Sequence, residues 1–210
     1  MRKRHTKDRR MGRIEAIRDH YEPRISPDKP NFEILDWASS ATQEARFRVL
    51  ADNVALHGAS LLDVGCGLGD LRSFLVRRGI DAAYTGVDVS ERMVQAALTR
   101  QPDGRFLTAN LFDGSTPFPP ASFDVIYCSG IFNLDLGNNV AFVPQAVEVF
   151  LRLARRCVVC NMLHERAGVG DGTYFFFNPA EVLPPLRKLA AEVRLIDDYL
   201  PNDFTVICHK

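Results

Sequence analysis

The sequence predicts a doubly wound α/β fold: a mostly parallel sheet with helices on both faces and an antiparallel hairpin at its C-terminal end. From about residue 59, short apolar runs alternate with segments of helical periodicity, which is the pattern of parallel strands joined by crossover helices. The run at residues 123–129 is apolar almost throughout, as expected for a strand covered on both faces. The chain has 210 residues, enough for one domain with a full core and too few for two comfortable ones.

Seven runs are expected to form the strands. Five of them would be parallel, at residues 59–64, 83–89, 105–109, 123–129 and 157–163. Two more, at residues 192–199 and 204–209, would close the sheet as a hairpin. The helices are expected at residues 70–79, at 91–100, in a long segment ending near residue 156, and from Pro179 onward. Ser90 and Asn178 are placed to cap two of these helices, and Pro184 and Pro185 are expected to interrupt the last one.

The first 58 residues lie outside this alternating pattern. Residues 1–10 hold six Lys/Arg and one Asp and therefore sum to +5, whereas the other 200 residues carry 20 basic and 25 acidic groups, or −5. We expect residues 1–10 to be a basic, disordered tail. Residues 11–58 are expected to form a helical extension, with Ser39 or Ser40 as a cap, and residues 59–210 the core of a single domain overall.

Composition and charge argue against several classes of protein. The net charge is zero, so no global field attracts nucleic acid or a membrane surface. No stretch approaches the roughly 20 apolar residues that span a bilayer, and the N-terminus lacks the apolar core of a signal peptide. Cys157 and Cys160 form a CxxC inside a strand, where their odd separation points them to opposite faces. We therefore expect no metal site and a cytoplasmic protein.

The stretch LLDVGCGLGD, residues 61–70, carries the strongest chemical signal. Glycines at 65, 67 and 69 follow directly on an apolar strand, where they permit positive φ and close approach of a ligand to the main chain. A phosphate-binding P-loop would need a Lys after the last glycine, and a dinucleotide motif would need glycine where Asp70 stands. The turn therefore suits an adenosine ligand with little phosphate and a charged ammonium, because the acid at Asp70 would repel a pyrophosphate.

In these residues the sequence resembles the class I S-adenosylmethionine-dependent methyltransferases. The stretch LLDVGCGLG is similar to the nucleotide-binding loop of that family. The resemblance covers roughly residues 59–209 and implies a Rossmann-like sheet, S-adenosylmethionine as cofactor and S-adenosylhomocysteine as product. A second acid, Asp88, ends the second predicted strand 25 residues after Asp63. In the family an acid at this point binds the ribose, and the following residue, here Val89, packs on the adenine.

The resemblance implies the rest of the cofactor site residue by residue. Asn110 stands where the family often has an Asp that accepts from the adenine amino group, although Asn110 could equally be a turn residue. The Leu111 amide would serve adenine N1, and Asp63 with the carbonyls of Gly65 and Cys66 would orient the amino end. The implied cofactor-binding residues are Asp63, Gly65, Cys66, Gly67, Gly69, Asp88, Val89, Asn110, Leu111 and Ser129.

The segment that leaves the fourth strand bears on the acceptor. Amino-methylating enzymes resemble one another in an Asn/Asp-Pro-Pro-aromatic motif there, and cytosine C5 enzymes in a Pro-Cys nucleophile, whereas this chain has Cys128-Ser129-Gly130-Ile131. We therefore expect a small-molecule acceptor. The candidates that would act on the acceptor are His164 as a general base and Arg166 or Arg24 as a fork for a carboxylate. Phe132 and Trp37 are candidate aromatic faces for the cation, and Tyr21, Phe32 and Trp37 a candidate lid. Phe132 could equally be a core residue, and His164 could be a surface histidine.

The sequence therefore predicts an S-adenosylmethionine-dependent methyltransferase that performs O-, N- or C-methylation of a small acceptor. Two alternatives stay open. The basic tail could dock an RNA or protein substrate, although nucleic acid is not the expected partner, or the chain could bind the cofactor without catalysis. For the lid, the alternative is a helix simply packed against the sheet.

Overall fold

A seven-stranded mixed sheet forms the centre of the protein, in the strand order β3-β2-β1-β4-β5-β7-β6. The computed structural model describes residues 2–168 and 171–210. Its strands are β1 (Ser60–Val64), β2 (Ala83–Asp88), β3 (Phe106–Thr108), β4 (Phe123–Ser129), β5 (Ala154–Leu163), β6 (Glu192–Ile196) and β7 (Asp203–His209). The first five run parallel, and β7 is antiparallel to both β5 and β6. The predicted doubly wound sheet with a C-terminal antiparallel hairpin is confirmed.

Seven α-helices accompany the sheet in the described part of the chain. They are α1 (Arg2–Tyr21), α2 (Asn31–Ile34), α3 (Ser40–Asn53), α4 (Asp70–Arg77), α5 (Glu91–Arg100), α6 (Asn139–Leu153) and α7 (Pro179–Leu186). Helix α1 takes in the backbone of residues 2–10, where the sequence analysis expected a disordered tail. Lys and Arg are good helix formers, so this segment continues the helix that follows it.

The two faces of the sheet carry two separate hydrophobic clusters. Helices α6 and α7 pack on one face and α3 and α4 on the other. Strand β4 serves both, since Ile126 and Cys128 belong to the first cluster and Val125 and Tyr127 to the second. Burial of both faces explains why this strand is apolar almost throughout.

The predicted helix starts follow local capping chemistry. Ser39 accepts from the Thr42 amide and forms a capping box, and Ser90 caps α5 through the Met93 amide. Asn178 caps α7, in which Pro184 and Pro185 lie inside the helix instead of interrupting it. Helix α7 persists because it packs its apolar face into the core of the sheet, and this packing outweighs the lost amide donors.

Strand geometry separates the two cysteines of the CxxC motif in β5. Cys157 packs in the cluster under α3 and α4, whereas Cys160 packs in the cluster under α6 and α7. The two thiols of the CxxC therefore point to opposite faces of β5, as predicted. All five cysteines of the chain are buried free thiols.

A buried ion pair fastens α3 to the last strand. The Arg46 guanidinium donates through Nε to Asp203 Oδ1 at 3.1 Å, and its Nη2 contacts Asp203 Oδ2. The side chains are 3% and 0% exposed. Burial raises the pKa of Asp203, and Arg46 opposes that rise by favouring the charged form. Asn161 Nδ2 adds a hydrogen bond to Asp203 Oδ1 at 3.2 Å, so the carboxylate is well satisfied.

We expect Asp203→Ala to cost about 3–5 kcal/mol of the free energy of unfolding, because it leaves the Arg46 charge buried without a partner. The matched control is Arg77→Ala, which breaks the exposed Arg77–Glu44 pair and should cost less than about 1 kcal/mol. Urea denaturation of both variants measures the difference. Equal losses in the two variants would contradict a structural role for the buried pair.

Candidate functional site

The strand order reverses between β1 and β4, and a crevice at the carboxyl ends of the strands is expected at that point. The glycine turn, residues 65–69, follows β1 there, and Gly130 follows β4. Two different segments therefore meet at the reversal. A cavity of about 490 Å³ lies elsewhere, at the amino edge of the sheet, beside the first residues of β1, β2 and β4. Its position sets it apart from the site built on the glycine turn.

The glycine turn has the backbone conformation that its residue type allows. Gly65, Gly67 and Gly69 have φ values of 74°, 53° and 79°, which ordinary L residues rarely adopt. Space is also short: a Cβ at Gly65 would lie 2.3 Å from Ile131 Cγ2, and one at Gly67 would lie 2.7 Å from Leu35 Cδ2. Both conformation and packing therefore require glycine at these two positions.

Asp88 holds the turn from the end of β2. Its Oδ2 accepts from the Gly67 amide at 3.0 Å, and its Oδ1 accepts from the Ser90 amide at 2.9 Å. Burial raises the pKa of this carboxyl, and the amide donors oppose the rise. The Val89 amide is a third main-chain donor to this carboxylate. A carboxylate offers about four acceptor positions, so Asp88 keeps capacity for one further donor.

Asp63 is the most unusual carboxyl of the site. It is buried in β1, and Tyr84 donates its hydroxyl to Asp63 Oδ2 at 2.7 Å. Burial and the charge of Asp88 raise its pKa, the Tyr84 hydrogen bond lowers it, and the net result is a pKa of about 7. Within residues 2–168 and 171–210, no cationic side chain is paired with Asp63.

The sequence analysis did not identify Tyr84 as part of the site. Asp63 pairs with Gly86 across β1 and β2, and Tyr84 stands two residues before Gly86 on the same face. The alternation of side chains along β2 is therefore a sequence signal that could have identified Tyr84. Cys66 packs its Sγ against Gly86, and burial raises the pKa of its thiol. A buried, protonated thiol is a space-filling group here.

The three residues predicted to contact the adenine, Val89, Asn110 and Leu111, differ in the contacts they make. Asn110 Oδ1 accepts from the Phe112 amide at 3.0 Å, which is the turn role that the sequence left open. The Leu111 side chain is buried in the main core. The Val89 carbonyl accepts from Arg18 Nη2 at 2.6 Å. Arg18 thereby brings α1 over the end of β2.

Three more side chains dock the N-terminal helices on the turn, and none was foreseen. Asn31 and Gln43 donate to the two carboxylate oxygens of Asp70, at 2.6 and 3.1 Å. Ser90 donates its hydroxyl to Glu22 Oε1 at 2.7 Å. Such contacts join residues 27 to 68 positions apart, and polar helix residues carry no local pattern that identifies a distant partner.

Of the predicted lid residues, Trp37 has the clearest position. Its ring stacks on the Arg46 guanidinium at 4.2 Å and lies over Gly130, where a Cβ would stand 3.3 Å from the ring. Tyr21 packs against the small cluster formed by Ile34, Leu68 and Met93. The Phe32 carbonyl accepts from the Trp37 amide at 2.7 Å.

Phe132 is a core residue. The sequence analysis considered it as an aromatic face for a cationic ligand, but its side chain is 0% exposed and packs edge-on to Phe142 in the main cluster. The chain turns back at Gly130 and so directs Phe132 into the core, where it leaves no surface for an acceptor.

His164 and Arg166 lie together at the β5–β7 side. His164 Nδ1 accepts from the Arg166 amide at 3.1 Å, and its ring packs edge-on against Phe204. Burial lowers the pKa of His164, so the ring is neutral at pH 7. Arg166 donates to the Asp197 carbonyl at 2.6 Å. These contacts hold the segment after β5. The roles of general base for His164 and carboxylate fork for Arg166 stay predictions.

Ser129 ends β4 beside the crevice. Its hydroxyl donates to Asn161 Oδ1 at 3.2 Å on the neighbouring strand. Asn161 in turn donates to Asp203 and Tyr199. Ser129 therefore stands at one end of a polar network that continues to the buried Arg46 pair.

Known proteins share this architecture and its motif. A family model described as a methyltransferase domain matches residues 61–156. The chain is 36% identical over 144 residues to a demethylmenaquinone methyltransferase of Tropheryma whipplei, covering 68% of this chain and 57% of that protein. It is 39% identical over 142 residues to a trans-aconitate 2-methyltransferase of Rhodopseudomonas palustris, covering 67% and 51%. The chain thus spans just over half the length of these curated relatives.

A solved structure extends the likeness beyond the matched segment. The magnesium protoporphyrin IX methyltransferase of Synechocystis PCC 6803 with bound SAH superposes with a TM-score of 0.66 at 16% identity, covering 94% of this chain and 99% of that one. At this identity the match establishes the fold. With the family match at the glycine turn, the chain therefore contains a class I S-adenosylmethionine-dependent methyltransferase domain.

Proposed function

We propose that this protein transfers the methyl group of S-adenosylmethionine to a small-molecule acceptor. One observation carries the proposal: Asp88 at the tip of β2 is hydrogen-bonded to the Gly67 amide of the turn, so a ribose-binding carboxylate and a close-approach loop form one unit. No Lys follows Gly69, where a phosphate-binding loop would have one.

The residues of the crevice fit this cofactor. Asp88 keeps an acceptor position for a ribose hydroxyl. Gly65 and Gly67 themselves carry no Cβ and take positive φ, which lets the main chain of the turn bend around a ligand. Asp63, which has a raised pKa and no cation beside it in the part of the chain that the structure describes, suits a ligand that brings a positive charge. Val89, Asn110 and Leu111 are proposed for the adenine end and Ser129 for the methyl end.

A bound S-adenosylmethionine supplies an electrophilic methyl group on a sulfonium sulfur. The work of the chain is then positioning, because an in-line transfer needs the reacting groups held in contact and in line. The N-terminal extension, with Tyr21, Phe32 and Trp37, is proposed to cover the crevice and exclude water. His164 is assigned a positioning role after β5, because its Nδ1 already accepts from the main chain.

The relatives support a small acceptor. By their names, two of them act on demethylmenaquinone and trans-aconitate, and a structural neighbour acts on magnesium protoporphyrin IX. In the described residues no helix is long and apolar enough to cross a membrane. We place the protein in a reducing compartment such as the cytoplasm, because all five of its cysteines are thiols.

The first test is calorimetric binding of S-adenosylhomocysteine to the wild type and to Asp88→Asn. The amide loses one charged acceptor, so affinity should fall roughly tenfold to a hundredfold. Asp52→Asn, on the exposed face of α3, is the control and should bind normally. A wild type that ignores S-adenosylhomocysteine and S-adenosylmethionine and takes up NAD or ATP would overturn the proposal.

The second test compares Gly65→Ala with Gly58→Ala. Both glycines have positive φ, 74° and 70°, so each alanine should cost about 1–2 kcal/mol of stability. A Cβ at Gly58 meets nothing within 4 Å, whereas one at Gly65 meets Ile131. Only Gly65→Ala should also weaken S-adenosylhomocysteine binding, by at least about tenfold, as measured by calorimetry. Equal binding in both variants would show that the cofactor does not lie on the turn.

The third test follows cofactor affinity with pH. Because the pKa of Asp63 is raised to about 7, its carboxylate is charged above that pH and protonated below it. S-adenosylmethionine affinity should therefore fall several-fold as the pH drops from 8.5 to 6. In Asp63→Asn the affinity should be lower at pH 8.5 and nearly flat over this range. A wild-type slope that survives in Asp63→Asn would exclude Asp63 as its origin.

A further inference from the structure

Four side chains form a polar cluster at the rim of the crevice, which we call the Asp36 cluster: His20, Arg24, Asp36 and Tyr174. Three donors converge on a single oxygen, Asp36 Oδ2. Arg24 Nη2 donates at 2.8 Å, His20 Nε2 lies at 3.0 Å, and the Tyr174 hydroxyl donates as well. Burial alone would raise the pKa of Asp36, but the Tyr174 hydrogen bond and the charge of Arg24 hold it below its ordinary value.

The donors come from two separate segments of the chain. His20 near the end of α1 and Arg24 in the short 3-10 helix at residues 22–24, which follows α1 directly, belong to one segment, and Tyr174 lies in the connection between β5 and α7. Two segments that aim three donors at one carboxylate oxygen make a preformed site for a carboxylate. In the present structure the chain's own Asp36 occupies it.

Asp36 uses this site incompletely. A carboxylate that binds arginine side-on uses Nε and one terminal nitrogen together. Asp36 takes only Nη2, while Arg24 Nε is shielded from solvent and has no hydrogen-bond partner in the described part of the chain. A buried donor left unpaired is costly, so the guanidinium has an unmet requirement for a second oxygen.

Asp36 is also open to solvent on one side. Its side chain is 34% exposed, and its φ of 59° lies in the left-handed region, which Asp adopts more readily than most non-glycine residues. The residue can therefore leave the site and gain hydration at its carboxylate. We therefore call Asp36 a placeholder, meaning a side chain that occupies the site until a ligand carboxylate replaces it.

The cluster adjoins the proposed transfer site. Trp37, the next residue, covers Gly130 at the end of β4. Tyr174 pairs with Leu134 in the segment after β4, and the Phe175 amide donates to the Asn133 carbonyl at 2.7 Å. Toward the cofactor side, the carboxylates of Asp36 and Asp88 both raise the pKa of Tyr21. The cluster thus lies between the end of β4 and the ribose-binding acid.

We propose that the acceptor is a small carboxylate, anchored by Arg24, His20 and Tyr174 in place of Asp36. The inference rests on the proposed methyl transfer and adds the class of substrate to it. The anchoring carboxylate binds side-on to Arg24 Nε and Nη2, and Tyr174 donates to one of its oxygens. The rest of the acceptor extends past Trp37 toward Gly130.

The test is Asp36→Gly, which removes the placeholder and suits the positive φ. Trp37 is the single tryptophan of the chain, so its fluorescence reports binding beside it. Succinate and glutarate are titrated with and without S-adenosylhomocysteine. Asp36→Gly should bind these probes at least about fivefold more tightly than the wild type, and Arg24→Gln in the same background should abolish the gain. Tyr174→Phe should weaken binding several-fold.

The control is Asp197→Gly, which removes a carboxylate from the exposed Arg166–Asp197 pair and should leave probe binding unchanged. If the cluster is only a latch between the N-terminal helices and the Tyr174 segment, Asp36→Gly will lower the melting temperature and the S-adenosylhomocysteine affinity without any gain for carboxylates. That result overturns the proposal, as does equal competition by inorganic sulfate or by the dimethyl esters of the probes.

Methyl transfer itself is measured with a panel of small carboxylic acids and their amides, with turnover expected only for the acids. The two proposals fail in different ways. A wild type that binds no S-adenosylhomocysteine disproves the methyltransferase function, whereas carboxylate binding to Asp36→Gly is read without the cofactor. Turnover of the amides at the rate of the acids disproves the carboxylate subsite alone.

Discussion

The hydrogen bond from the Gly67 amide to the Asp88 carboxylate is the contact on which the rest of the site depends. It can form only because three residues of the turn adopt positive φ, which lets β1 pass directly into α4 while its amides face the neighbouring strand. Leu35 and Ile131 then pack where side chains of the turn would otherwise lie. The constraint of the turn thus determines which neighbouring segments can approach it.

Buried carboxylates in this protein differ in how they are satisfied. Asp203 has a buried arginine and an amide donor, so its charge is compensated within the chain. Among the described residues, Asp63 has the Tyr84 hydroxyl as its one side-chain donor, and its pKa rises to about 7. The first arrangement fastens a helix to the sheet. The second leaves a site in which a cation is favoured, and this difference in compensation separates a structural acid from one suited to a ligand.

The N-terminal helices join the two halves of the crevice. They contact the end of β2 through Arg18 and Glu22, the start of α4 through Asn31 and Gln43, and the end of β4 through Trp37. These contacts are mostly polar and partly exposed, so their net contribution to stability is modest. Helix α3 is fastened by the buried Arg46–Asp203 pair and by core packing of Phe47 and Leu50. Only the segment before α3 can therefore separate from the core at smaller cost, which suits a cover for a cofactor and an acceptor.

The sequence by itself determined the class of fold, the seven strands, the helix caps at Ser90 and Asn178, and the glycine turn with Asp63 and Asp88, and it narrowed the cap of α3 to Ser39 or Ser40. These features follow from local patterns: alternation of apolar runs, cap chemistry and the conformational freedom of glycine. The tertiary structure decided the burial of Phe132, the structural contacts of His164 and Arg166, the continuation of α7 through two prolines, and every partner of the N-terminal helices. Those outcomes depend on which residues, often more than 60 positions apart, are brought together by packing on the sheet, and a local pattern carries no information about such a partner.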